Sequence, residues 1–150
     1  NLVNLEDCNP IVTKCSMNSD PKVIGVIGRM EKDDKFLNRP FYWGAFGTTL
    51  KDRSDPRIFV SYTGFVGAWV VVNDGTDIDY TTGDLLTSHS CGALQKQHDD
   101  VIHSYTVAKF IVDSYADPDR QHETENTDSY RITQDGLIIT LELKGVLLML

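Results

Sequence analysis

The chain has 150 residues, with 22 acidic and 14 basic side chains and a formal net charge of −8 at pH 7. This length suits a single domain, and a hydrophobic fraction of 41% with 24% charged residues is typical of a globular chain rather than a disordered one. The acidic balance argues against nucleic acid and anionic membranes as partners, because both are bound through clustered Lys and Arg.

The first half of the chain predicts short strands separated by turns. Residues 1–20 are polar and carry turn signals at Asn9-Pro10 and Ser19-Asp20-Pro21, so we expect an extended lead-in there. β-Branched and aromatic stretches predict strands, with Asn73-Asp74-Gly75 as a strong turn signal after them. The predicted strands are residues 23–30, 41–50, 57–62 and 67–72.

The second half continues in the same way. Short strands are predicted at residues 85–87, 93–95, 105–113, 129–133, 137–143 and 145–150. The polar segment 97–103 is expected to be a loop or a single helical turn, and residues 117–128 a polar loop. The tripeptide Gln134-Asp135-Gly136 predicts a hairpin between the strands that flank it.

Regularly spaced short strands indicate an all-β fold, either a β-sandwich or a small β-barrel of short antiparallel strands with long polar loops. Residues 1–20 would form the lead-in and residues 21–150 a single β domain. No apolar run reaches the roughly 18 residues needed to span a bilayer. Without an initiating Met or a signal-peptide pattern, the chain is expected to be a processed product or a piece of a longer polypeptide.

The three cysteines form an odd set. Cys8 and Cys15 could bridge, which would leave Cys91 unpaired or paired between chains. Three reduced thiols in a protein outside the secretory pathway are the simpler interpretation. The sequence leaves the disulfide state open.

Two clusters contain metal-ligand residue types. One loop region carries the carboxylates Asp74, Asp77, Asp79 and Asp84, but their order does not match an EF-hand, and Asp in loops commonly bonds the backbone. The second cluster is His89 and Cys91, which would share a strand face, followed by His98 and His103. Because that spacing matches no zinc pattern, we favour surface histidines beside a buried thiol and expect no metal and no cofactor.

The sequence favours a non-catalytic protein over an enzyme. Cys91 with a nearby His and Asp could form a nucleophile set, but Cys91-Gly92 has no helix-start signature to activate the thiol. No residue is therefore assigned a catalytic role.

Aromatic residues give the candidate binding positions. Phe41, Tyr42 and Trp43 are consecutive, so in a strand at least one ring must face outward. Tyr42, Trp43 and the separate Trp69 could form a sugar-stacking platform, or such a ring could lie at a subunit interface. The alternative is that these rings belong to the core.

An ordered series of short motifs resembles a known family. The most specific pair is Gly83-Asp84-Leu85-Leu86 followed by Thr106-Val107-Ala108-Lys109. This order resembles a β domain near the C-terminus of phage tail-fibre and spike proteins and of fibre-like proteins of large DNA viruses. The series spans residues 20–113 and also includes the segments 20–27, 57–60, 64–70, Gly92 and 95–100. From the residues alone, Gly83-Asp84 predicts a tight turn into a strand, with Asp84 free to bond backbone donors, and the small Ala108 predicts a position where another strand or chain approaches closely.

The resemblance implies a structural or assembly module of a virion fibre, spike or capsid-associated protein. It also implies a homotrimer or contact with other virion chains. The alternatives are a secreted or surface glycan-binding module and an autoproteolytic domain of the self-cleaving fibre-chaperone type. In one such type a Ser and a Lys act together. Ser54-Asp55-Pro56-Arg57 echoes the start of that motif but lacks the Lys, and Ser19-Asp20 also lacks a base, so no catalytic residue is carried over.

Overall fold

The structure is a computed structural model that describes residues 2–4, 9–30, 45–50, 57–113 and 129–150. Every regular element in these residues is a β-strand, which confirms the all-β prediction. The strands are β1 (Leu2–Asn4), β2 (Asn9–Val12), β3 (Val26–Met30), β4 (Ala45–Leu50), β5 (Arg57–Ser61), β6 (Thr63–Asn73), β7 (Leu85–Ser88), β8 (Leu94–Lys96), β9 (Thr106–Val112), β10 (Ser129–Gln134) and β11 (Leu137–Met149).

Five strands close into a small barrel, in the order β11-β6-β8-β7-β9, and β11 completes the ring by also pairing with β9. β10 extends this sheet by pairing with β11 outside the ring. The small barrel that the sequence predicts is therefore confirmed. One of its pairings, Val70 of β6 with Leu94 of β8, is parallel, whereas the sequence analysis predicted antiparallel strands throughout.

The remaining strands form a second, separate sheet in the order β1-β2-β4-β5-β3. Its β2–β4 pairing is also parallel. β1 and β2 lie within the segment 1–20 that the sequence predicted as an extended lead-in, so that segment contributes strands. Val23 and Val26, on the path from β2 into β3, pack against the barrel core.

The barrel core consists of aliphatic side chains and Phe110. Ala108 of β9 is fully buried and lies opposite Leu86 on one neighbouring strand and Leu148 on the other. A small side chain at this position lets two strands approach closely, as the sequence analysis expected. Tyr80 covers one side of the core, because its ring stacks on Phe110 with centroids 5.3 Å apart.

β11 is the longest strand, with 13 residues. The sequence analysis predicted two strands here, 137–143 and 145–150. They are instead continuous, because the chain accommodates register shifts at Thr140/Leu141 against β6 and at Gly145/Val146 against β9. Bulges of this kind bend a strand without ending it, which is how one strand contributes both to the β10 hairpin and to barrel closure.

The two predicted Gly turns are present. Asp135 and Gly136 have φ values of 51° and 78° between β10 and β11, as a two-residue type I′ hairpin turn requires. Before β7, Gly83 has φ 101°, and the Asp84 carboxylate accepts a hydrogen bond from the Thr81 backbone N–H at 2.8 Å. This confirms the prediction that Asp84 bonds backbone donors at that turn.

Candidate functional site

An apolar strip lies on the outer face of the barrel and is formed by Phe65, Val112 and Leu147. Phe65 on β6 and Leu147 on β11 are directly opposite each other in the antiparallel register. The side chains are 52%, 40% and 40% exposed for Phe65, Val112 and Leu147, respectively. We call these three residues the outer apolar strip.

Gly145 is the base of the outer apolar strip. A Cβ atom added at Gly145 would lie 2.5 Å from the Val112 side chain and 2.8 Å from the Phe65 ring. Both side chains therefore extend over the glycine from the strands on either side of it. Leu147 is two residues further along β11 and so points to the same face. The strip thus crosses three adjacent strands, β6, β11 and β9.

Charged residues adjoin the outer apolar strip, because Asp113 follows Val112 and Lys144 precedes Gly145 in the sequence. The Lys144 ammonium is largely buried, 2.8 Å from the Glu142 carboxylate and 3.8 Å from the Asp113 carboxylate. Lys109 lies opposite Leu147 in the β9–β11 register. An apolar centre with a charged border is the arrangement found at protein–protein interfaces.

A cavity of about 500 Å³ lies between the barrel and the segment that leads from β2 to β3. Its wall includes Trp69, which is half-buried. The sequence predicts Tyr42, Trp43 and Trp69 as binding residues. Trp69 lies at the cavity, whereas Tyr42 and Trp43 are outside the described residues. Glycan binding through these rings stays a prediction.

The acidic loop is built from turn hydrogen bonds. Asn73 donates its side-chain amide to Asp77 at 2.7 Å and accepts from the Gly75 backbone N–H at 3.0 Å. Asp84 accepts from Thr81 and also pairs with the Lys96 ammonium at 3.3 Å. In the part of the chain that the structure describes, no group of three His, Cys, Asp or Glu side chains is arranged to hold a metal ion.

The histidines form two separate sets. His89 and Cys91 are both buried, so the prediction of a buried thiol is confirmed at Cys91, and the prediction of a surface histidine is wrong at His89. Burial lowers the pKa of His89, against the opposing attraction of Asp74, whose carboxylate is 4.0 Å from Nε2. Cys15 is also a free thiol, and Cys8 lies outside the described residues.

His103 belongs to a loop network centred on Asp99. The Asp99 carboxylate lies 2.9 Å from His103 Nε2 and accepts from the Gln97 amide at 2.7 Å. Gln97 in turn accepts from the Thr106 hydroxyl at 2.7 Å, which ties the loop to β9. The hydrogen bond from His103, and then that from Gln97, hold the pKa of Asp99 below its usual range. The segment 97–103 is accordingly a loop, one of the two predicted alternatives.

One of the two serine motifs, Ser54-Asp55, lies outside the described residues. At the other, the backbone N–H groups of Ser19 and Asp20 donate to Ser88, at 3.0 Å to its carbonyl and 2.9 Å to its hydroxyl, so long-range hydrogen bonds hold this motif against β7.

Comparison with models of protein families, with curated proteins and with solved structures gives no match. Among the described residues, no helix has the length and hydrophobicity that crossing a bilayer requires. The outer apolar strip is the surface that sequence reasoning missed. Its members are 35 or more positions apart in the sequence, and only the pairing of β11 with both β6 and β9 brings them together.

Proposed function

We propose that the chain is a structural assembly module that forms a homo-oligomer through the outer apolar strip. The single observation that supports this is the arrangement of Phe65, Val112 and Leu147 side by side on three hydrogen-bonded strands, each 40% exposed or more. A sheet surface is rigid, so the strip is presented to a partner at little entropic cost.

Charge favours the strip over the rest of the surface as the place where copies of the chain meet. Each copy carries a formal charge of −8, so most of its surface repels another copy. The strip itself contains no charged side chain. Two or more copies can therefore bury their strips together while their acidic surfaces remain in water, with the strip as the apolar centre of a larger contact.

The resemblance to fibre and spike proteins indicates the kind of assembly that the module would form. Under this proposal the module is a homotrimer in a viral or phage fibre, spike or capsid-associated protein, located in the virion. In a cyclic trimer each copy would contribute the same strip to a shared contact around the axis. The role of the module is then mechanical and structural.

Native mass spectrometry and analytical ultracentrifugation at micromolar concentration test this proposal. We expect a trimer for the unmodified chain. Phe65→Thr and Leu147→Thr place a strand-compatible β-branched residue in each strand but remove apolar surface. Each is expected to raise the concentration at which the trimer dissociates by tenfold or more, on the order of an interface hot spot.

Ile102→Thr is the matched control, because Ile102 is 66% exposed and lies in the loop before β9, outside the strip. This control is expected to leave the oligomer unchanged. A stable monomer of the unmodified chain at micromolar concentration would refute the proposal. So would a trimer that loses stability equally with all three substitutions.

A further inference from the structure

The cavity beside Trp69 has an aliphatic floor. Five buried residues form this floor, two from strands of the second sheet and three from the barrel: Val12, Val60, Ala68, Leu94 and Val107. A volume of about 500 Å³ lies within the range of small-molecule pockets in proteins. The floor is suited to an apolar chain rather than to a polar ring.

Two polar residues that line the cavity, Ser88 and Asp20, are already hydrogen-bonded within the protein. The Ser88 hydroxyl donates to the Met17 carbonyl at 2.8 Å and accepts from the Asp20 backbone N–H at 2.9 Å. The Asp20 carboxylate accepts from the Lys22 backbone N–H at 2.9 Å and from the Cys15 thiol at 3.8 Å. These groups already have partners within the protein, so they do not favour a ligand with many hydroxyl groups.

The rim of the cavity carries two cationic side chains. Lys14 and Lys22 both line the cavity and are exposed. Within the described part of the chain, the ion pairs of lysines are made by Lys96 and Lys144, not by these two. The aliphatic stem of Lys14 packs over Gly92, where an added Cβ would lie 2.2 Å from Lys14 Cε. That contact keeps the Lys14 stem at the cavity.

We propose that this cavity binds a medium-chain aliphatic carboxylate, with the hydrocarbon chain on the aliphatic floor and the carboxylate between Lys14 and Lys22. Asp20 also lines the cavity, so Lys14, Lys22 and Asp20 together give its lining a formal charge of +1, which is complementary to that head group and opposite in sign to the net charge of the protein. The proposal does not depend on the assembly function, because the cavity and the outer apolar strip share no residue.

Trp69 provides a reporter for the test. The chain has two tryptophans, so Trp43→Phe leaves Trp69 as the single indole. Octanoate, decanoate and dodecanoate are titrated below their micelle-forming concentrations, with Trp69 fluorescence and calorimetry as readouts. Affinity is expected to rise about fourfold for each added methylene until the cavity is full, which corresponds to the burial free energy of one CH₂ group.

Ligands with other head groups, and substitutions of the two rim lysines, test whether charge contributes to binding. Decanol and decyltrimethylammonium are expected to bind about tenfold or more weakly than decanoate. Lys14→Glu with Lys22→Glu is expected to weaken decanoate binding by about the same factor. Arg131→Glu on β10 makes an equal change of charge per substitution at a residue outside the cavity wall, and is expected to have little effect.

Equal affinity for the three head groups, or an unchanged affinity after the double lysine substitution, would overturn the proposal. So would the absence of both heat and a fluorescence change at every chain length. A Trp69 response to methyl glycosides but not to decanoate would replace the proposed ligand with a sugar. The strip variants Phe65→Thr and Leu147→Thr are expected to bind decanoate with unchanged affinity. The experiments therefore distinguish a failure of the proposed assembly function from a failure of the proposed ligand.

Discussion

His89 Nδ1 accepts a hydrogen bond from the backbone N–H of Cys91 at 3.0 Å. Because Nδ1 is the acceptor, the ring proton is on Nε2, which faces the Asp74 carboxylate 4.0 Å away. The His89 backbone N–H also donates to the Ala93 carbonyl at 2.9 Å, so the neutral ring completes the turn that joins β7 to β8. A protonated His89 would lose the Cys91 bond.

Stability is therefore expected to depend on the protonation of His89. The pKa of His89 is lowered from its ordinary value of 6.5, first by burial. The unfolded chain then binds a proton at higher pH than the folded chain, so the contribution of His89 is fully present above about pH 6.5 and is lost as pH falls through the lower folded pKa. Urea unfolding at pH 7.5 and pH 5 measures this.

The variant that isolates this effect is His89→Gln, which is expected to be less stable at pH 7.5 and to lose less stability between the two pH values. His98→Gln is the control, because His98 is exposed. A pH dependence that is the same in His89→Gln and in the unmodified chain would contradict the assignment.

Ser88 holds the segment before β3 against the barrel through hydrogen bonds. Its buried hydroxyl bonds the Met17 carbonyl and the Asp20 N–H, so Ser88→Ala leaves both backbone groups without that partner. We expect a loss of about 1–3 kcal/mol in the free energy of unfolding, measured by chemical denaturation. Ser90→Ala removes only a 3.4 Å contact to Gln134 and is expected to cost less than about 0.5 kcal/mol. Equal losses in the two variants would contradict this role for Ser88.

Gly145 is required by the close approach of two side chains rather than by its backbone angle. Gly145→Ala places a methyl group against Val112 and Phe65 and is expected to destabilise the fold by about 1–3 kcal/mol. Val112→Ala removes one of the two obstacles. Thermal unfolding of the double variant should therefore show a loss smaller than the sum of the two single losses. Strict additivity would mean that the contact over Gly145 has no energetic importance.

Phe110 is the largest fully buried side chain of the barrel. Phe110→Ala is expected to cost about 3–5 kcal/mol, because it leaves a cavity and removes the ring stacked on Tyr80. Leu137→Ala is a useful comparison, since Leu137 is exposed at the β10–β11 turn and should lose about 1 kcal/mol or less. Similar losses of unfolding free energy in the two variants would contradict the assignment of Phe110 to the core.

The sequence by itself determined most of the barrel strands and their turns, but it did not reveal β1 and β2, and it divided β11 into two strands. Alternating and β-branched stretches predict strands because the side-chain period of a strand is local, and Asp135-Gly136 and Gly83-Asp84 mark turns because their backbone conformations favour those residues. The all-β class, the small barrel and the small residue at Ala108 could therefore be predicted. The parallel pairings could not, because local patterns do not specify which strand lies beside which.

Only the tertiary structure decided where the functional surfaces lie. Phe65, Val112 and Leu147 look like ordinary strand residues until β11 pairs with both β6 and β9. The same reason applies to the cavity, whose walls come from segments around residues 12–27, 60, 68–69, 88–94 and 107. The sequence predicts Trp69 as a ring of a sugar-stacking platform. Its placement beside an aliphatic floor and the exposed Lys14 and Lys22 follows from long-range packing, which no local pattern encodes.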